Sequence, residues 1–218
     1  MNMAIRVILA DDHTVVRSGI RSIIDRLGKG IEVIGEAGNG LELLEIAGKL
    51  PADVYVVDIA MPGLSGLEAS ARLLKMRPGS KIVILTMYSE HVLVYRAFQQ
   101  GVHGYVLKDS SPQDIIRAIR DVYKGRYYLS PELSGYVVKK MVAGASADVV
   151  QYQDPLTLRE REVLQLLCEG KTEKEIARIL EFATNTAHVH KKNIMQKLDI
   201  HTTAGLIRYS IKKGIIQL

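Results

Sequence analysis

The chain has 218 residues, 47% hydrophobic and 24% charged, a balance that suits one large or two small domains with proper cores and excludes a disordered tail. No apolar run approaches the roughly 20 residues of a membrane span, the N-terminus leads straight into a strand instead of a signal peptide, and the single cysteine, Cys168, rules out an intrachain disulfide and fits a reducing cytoplasm. Lys and Arg number 29 against 24 Asp and Glu, a net charge of +5. Residues 1–124 hold 15 against 14, and residues 154–218 hold 11 against 8. The basic excess late in the chain permits nucleic-acid binding without establishing it.

In chain order, short apolar runs at 5–10, 32–37, 53–57, 81–86 and 104–107 read as strands. Helical patterns follow them near 13–27, 40–49, 65–76, 90–100 and 112–123. Asn39 with Glu42 and Ser65 with Glu68 read as capping boxes or close variants, and Ser111 precedes a first-turn proline, Pro112. Five β-α units predict a doubly wound, parallel, five-stranded α/β domain over 1–124. Residues 125–155 read as a linker with one helix, about 131–143. Residues 156–218 carry only helical pattern, near 158–169, 173–180, 184–198 and 203–213, the last ended by Gly214. Thr157 with Glu160 and Thr172 with Glu175 are capping boxes for the first two of these.

Doubly wound sheets gather ligands at the carboxyl ends of their strands. Asp11 and Asp12 follow the first strand, Asp58 the third, Thr86 ends the fourth and Lys108 the fifth. Singly, each is an ordinary turn, cap or surface residue; as a set they are specific. Three carboxylates repel one another, and a divalent cation of the Mg²⁺ kind, which takes hard oxygen ligands, resolves this. Asp58 can then attack a phosphoryl group whose oxygens Lys108 and Thr86 receive.

Ala10-Asp11-Asp12-His13, Asp58-Ile59-Ala60-Met61-Pro62-Gly63, Leu85-Thr86-Met87 and Gly104-Tyr105-Val106-Leu107-Lys108-Asp109 resemble the receiver domain of two-component systems. The resemblance implies that a histidine kinase phosphorylates Asp58. It implies Mg²⁺ held by Asp12, Asp58 and the main-chain carbonyl of Ala60, with Asp11 acting mostly through water. It also implies that Tyr105 is a switch aromatic that turns inward as Thr86 moves to the phosphoryl group. A half-buried strand aromatic is the plain alternative for Tyr105.

A three-residue junction, Glu181-Phe182-Ala183, separates the second and third late helices in a helix-turn-helix arrangement. Residues 184–198 carry Lys191, Lys192 and Lys197 and no acid. Leu156 to Leu164, Lys174-Glu175-Ile176-Ala177, His190, Ile194, Lys197-Leu198 and Gly214-Ile215-Ile216 resemble the LuxR-type helix-turn-helix. The whole chain is therefore similar to a NarL/FixJ-type response regulator. That implies transcription regulation through double-stranded DNA, contacted from Thr186, His188, Val189, Lys191 and Lys192. It also implies pairing of two chains on phosphorylation, with Leu206, Ile207 and Ile211 as dimerisation candidates. The chain departs from the usual pattern at Leu158 (Pro), Glu173 (Asn), Ala183 (Ser), Ala187 (Val) and His188 (Lys). The departure at His188 removes a phosphate or base contact, and Glu173 adds repulsion wherever it nears the DNA backbone.

Two other classes compete. A metal-dependent phosphatase or phosphotransferase would carry its nucleophile after the first strand and a cap domain, and neither pattern is present. An interaction module, switched by phosphorylation but weakened in DNA binding, remains open through Ala187 and His188. Gly170-Lys171-Thr172 is not a phosphate loop, because Gln165 stands where the loop needs Gly and no strand precedes it.

Overall fold

The computed structural model describes residues 4–87, 89, 91–135, 155–180, 182–212 and 215–216. Strands β1 (Ile5–Ala10), β2 (Ile31–Ala37), β3 (Val54–Val57), β4 (Lys81–Thr86) and β5 (Gly104–Leu107) lie where the apolar runs predict them. Helices α1 (Thr14–Leu27), α2 (Gly40–Lys49), α3 (Gly66–Met76), α4 (His91–Gln99) and α5 (Pro112–Tyr123) connect or follow them. The sheet has six strands, not the expected five. The extra strand, β6 (Tyr128–Leu129), falls in the stretch read as linker. It is two residues long, too short to show an alternating pattern.

All pairings are parallel, in the order β2-β1-β3-β4-β5-β6. Successive strand residues point to opposite faces. Ile8, Tyr55, Ile84 and Tyr105 therefore join a core with α2, α3 and α4, while Val7, Val56, Leu85 and Val106 join one with α1 and α5. Burial on both faces is why these strands read as unbroken apolar runs. Tyr128 anchors β6: its hydroxyl donates to Asp114 at 2.7 Å. Burial and the neighbouring Asp114 carboxylate push the Tyr128 phenol up to about 12, so it stays a neutral donor.

Helix starts follow the caps in the sequence, but neither early acid closes a full box: Glu42 takes the Gly38 N–H instead of that of Asn39. Asn39, Ser65 and Ser111 each accept a main-chain N–H three residues on. The Glu68 carboxylate, however, does not return to the Ser65 backbone but goes to Arg96 and Arg161. Past the linker come α6 (Leu158–Cys168), α7 (Glu173–Ile179), α8 (Thr184–Leu198) and α9 (Thr203–Lys212), with a separate core of Val163, Leu164, Ile176, Ile194 and Leu206. Full capping boxes open α6 and α7. The expected helix at 131–143 is described only over 131–135, and Glu181 and Gly214 lie outside the described residues.

Helix α8 starts at Thr184, and its cap, Ala183, makes no side-chain hydrogen bond. Thr184 does not take over the cap. A serine oxygen at 183 would accept from a first-turn main-chain N–H, which the alanine side chain cannot do. Ala183→Ser is expected to raise stability by roughly 0.5–2 kcal/mol, read as a higher denaturant midpoint at unchanged slope.

Candidate functional site

The acidic pocket forms where the strand order reverses, at the carboxyl ends of β1 and β3. The register pairs Ala10 with Val57, so Asp11 and Asp58 leave the sheet side by side. Asp58 N–H donates to the Ala10 carbonyl at 2.8 Å, and Arg17 donates to the Asp11 carbonyl. Gly66 seats the loop after β3. A Cβ there would lie 1.7 Å from the Asp58 carbonyl oxygen, so the start of α3 can approach Asp58 only as glycine.

Both Asp11 and Asp58 are 2% exposed. Lys108 Nζ lies 2.6 Å from Asp11 Oδ2 and 2.7 Å from Asp58 Oδ2; the second contact is an aligned hydrogen bond and the first is not. Asp58 Oδ1 is buried and accepts no hydrogen bond. Burial pushes the Asp58 carboxyl up, and Lys108 only partly offsets this. Burial would lower Lys108, but Asp58 and Asp11 outweigh it and hold the ammonium up. The pocket therefore retains Lys108 charged and still has more negative charge than one ammonium can balance.

Asp11, Asp12, His13 and Asp58 each bring a ligand atom within 4.8 Å of the others. The donors are mainly hard oxygens, and a buried carboxylate oxygen is left without a hydrogen bond. That set fits a small divalent cation. His13, which sequence reasoning passed over, places Nδ1 2.7 Å from Asp12 Oδ1; its position directly after the two aspartates was the available signal. Thr86 is fully buried at the end of β4, and its carbonyl accepts from Lys108 N–H at 2.8 Å. Tyr105 is 0% exposed, already packed in the core with α2, α3 and α4 rather than half-buried.

The late helices dock on this end of the sheet. Gln165 of α6 donates to the Met61 carbonyl at 2.5 Å, and Gly63 N–H donates to Glu169 at 3.1 Å. Arg161 lies 2.9 Å from Glu68, and Arg72 of α3 pairs with the buried Glu162. Asp12, Ala60, Gln165, Glu169, Ile215 and Ile216 line one shared cleft of about 180 Å³. Sequence reasoning missed the contacts of Gln165 and Glu169 with the loop after β3, because pairs a hundred positions apart leave no periodic signal.

On α8, Ala187 and Ile194 face the core and Val189 is 46% exposed. Helical spacing puts Asn185, Val189, Lys192 and Gln196 on the outer face, with Thr186 and His188 on its edges. Asn185 and Gln196 were not singled out from the sequence. Lys197 is tied to Glu160 at 2.8 Å. Lys191 is half-buried on the flank toward α7, where Glu173 Oε1 meets it at 3.1 Å and Glu173 Oε2 meets His188 Nδ1 at 3.3 Å. Of the dimerisation candidates, Leu206 is 2% exposed in its own domain's core, while Ile207 and Ile211 keep part of their surface.

The profile of the response regulator receiver domain matches residues 7–120, and that of the bacterial regulatory proteins of the luxR family matches 154–210. The oxygen regulatory protein NreC of Staphylococcus carnosus is 34% identical over 97% of this chain and 99% of its own. The RcsB response regulator of Salmonella typhimurium aligns with a TM-score of 0.66 at 27% identity, over 99% of this chain and 100% of its own. RcsB of Salmonella enterica serovar Typhimurium, bound to promoter rprA with the phosphomimetic BeF₃⁻, aligns at 0.63 with 29% identity, over 94% and 98%. With the acidic pocket at the strand ends and the helix-turn-helix behind it, these matches show that the chain belongs to the NarL/FixJ-type two-component response regulators, whose phosphorylation controls transcription.

Proposed function

We propose that Asp58 accepts a phosphoryl group from a histidine kinase, with Mg²⁺ bound by Asp12, Asp58 and the Ala60 carbonyl and by Asp11 through water. The observation that carries this is the buried Asp58 Oδ1, which accepts no hydrogen bond beside two further carboxylates and one lysine. The cation would neutralise charge as the carboxylate meets the donor. Lys108 would then move from Asp58 Oδ2 toward a phosphoryl oxygen, and the Thr86 hydroxyl would receive another. A kinase partner and a cytoplasmic setting fit the family; no helix among the described residues is long and apolar enough to cross a membrane.

The output is DNA binding through α8, with Thr186, His188, Val189 and Lys192 at the duplex and Lys191 reaching phosphate once it leaves Glu173. Two chains pair on a two-fold site, with Ile207 and Ile211 as the contacts still available on α9. Phosphorylation has a short route to α6. Met61 and Gly63, three and five residues after Asp58, bond to Gln165 of α6 and to Glu169 just past its end. Tyr105 is already inward, so its turning is not needed for that route. The rival reading, an interaction module with weakened DNA binding, has one observation in its favour: Glu173 neutralises part of the basic helix.

Acetyl phosphate with Mg²⁺ should label the wild-type chain, leave Asp58→Asn essentially unlabelled, and label Asp12→Ala poorly at every Mg²⁺ concentration. Equal labelling of Asp58→Asn at another site would remove the assignment.

Phosphorylation is expected to tighten DNA binding, measured by gel shift. Thr86→Ala should label like wild type yet lose most of that gain; if it keeps the gain, coupling runs through the contact of α6 with the loop after β3.

Lys192 points outward with no ion-pair partner among the described residues. Lys192→Ala should weaken binding to all duplexes alike and flatten the log–log salt slope by about 0.9, measured by anisotropy.

A further inference from the structure

Helix α8 brings three lysines to the DNA-binding domain, but they are not equally available. Lys197 is held by Glu160, and Lys192 faces outward. Lys191 and His188, three residues apart and so on one side of the helix, both end on a single acid of the neighbouring helix. Glu173 divides its carboxylate between them, Oε1 to Lys191 at 3.1 Å and Oε2 to His188 at 3.3 Å.

Glu173 is the first residue of α7, yet the cap of α7 does not use it. The Thr172 N–H and hydroxyl are both met by Glu175, at 2.8 Å each. The Lys191 contact holds the Glu173 carboxyl below its ordinary range, so the group is ionised at neutral pH. Its side chain is 28% exposed, against 37% for Lys191 and 62% for His188. Exposed pairs of this kind add little to folding. What this one changes is the charge that the recognition helix presents.

We propose that Glu173 is an internal counter-ion that competes with DNA phosphate for the recognition helix, holding Lys191 and His188 until a duplex displaces it, and so sets the strength and salt dependence of binding. The inference rests on the reading that α8 enters the DNA groove. Because the displaced carboxylate stays beside the phosphates, Lys191 and Glu173 together bring no net cation to the backbone. Binding then releases one counterion fewer than the basic residues alone suggest. The carboxylate would also lie close to the phosphates once the lysine has moved, and it would repel them. Glu173 thus tunes affinity downward without touching a base.

The test uses the full chain after treatment with acetyl phosphate and Mg²⁺, and a random-sequence duplex of about 25 base pairs, long enough for two half-sites. Affinity is read by anisotropy between about 50 and about 200 mM salt. Glu173→Gln should bind more tightly at the low end and show a log–log slope steeper by about 0.9. Over that fourfold rise in salt it should lose about 3.5-fold more affinity than wild type. Glu173→Gln combined with Lys191→Gln should return to the wild-type slope. Asp199→Asn makes the same change in net charge at a residue in the left-handed region, φ 52°, which asparagine also adopts. It should leave the slope unchanged.

An unchanged slope and weaker binding by Glu173→Gln would make the pair a structural brace and overturn the proposal. Equal steepening by Asp199→Asn would do the same, by reducing the effect to net charge. If wild type and every variant leave the duplex unbound, the reading of α8 falls together with the inference. If wild type binds and Glu173→Gln keeps its slope, only the inference falls.

Discussion

Two like charges held side by side govern this molecule. The parallel register of β1 and β3 ends both strands at the same level, so Asp11 and Asp58 emerge together. Unit charges under 4.8 Å apart repel by roughly 3.5 kcal/mol at an effective dielectric of about 20. Lys108, delivered by β5 from two strands away, is the counter-charge that lets the pair persist. One ammonium cannot neutralise three carboxylates, and the excess makes the pocket receptive to a cation. The apolar layers on both faces of the sheet fix the strand ends, and the strand ends fix the charges. Gly66 completes the arrangement, since any side chain there would collide with the Asp58 backbone.

Acids in the C-terminal helices do separate jobs. Glu160 and Glu175 cap helices, and Glu160 also holds Lys197. Glu162 and Glu169 reach the receiver. Glu173 meets the recognition helix. The net basic charge of this segment is therefore a poor guide to what DNA would meet. Position decides, and only Lys192 among the three lysines of α8 stands clear of these acids.

The strands and helices were legible in the sequence because their periods and caps are local. Both capping boxes of the late helices formed from residues three apart, and every pocket residue fell at a strand end. The misses have physical causes. Strand β6 is too short to have a period, and its anchor is a Tyr128–Asp114 bond made across 14 residues. The Ser65–Glu68 pair looked like a capping box, but Glu68 found stronger partners in two arginines distant in sequence. Leu206 had the pattern of a pairing face, yet its own core took it. Glu173 was read as a repulsive element near DNA, and nothing local revealed that Lys191 and His188 would converge on it.

Glu68 has one more consequence. It is a buried carboxylate at the start of a receiver helix, and one of its two counter-charges, Arg161, belongs to the other domain. The same holds in reverse for Glu162, buried in the C-terminal domain and paired with Arg72 of the receiver. Separating the domains strips a partner from each acid, and a buried charge left short of its partner costs several kcal/mol unless water reaches it. While the docked state lasts, each domain therefore carries part of the other's stability. Heat or denaturant should meet a single cooperative unit instead of two modules joined by a tether, with an isolated receiver melting earlier than it does in the whole chain.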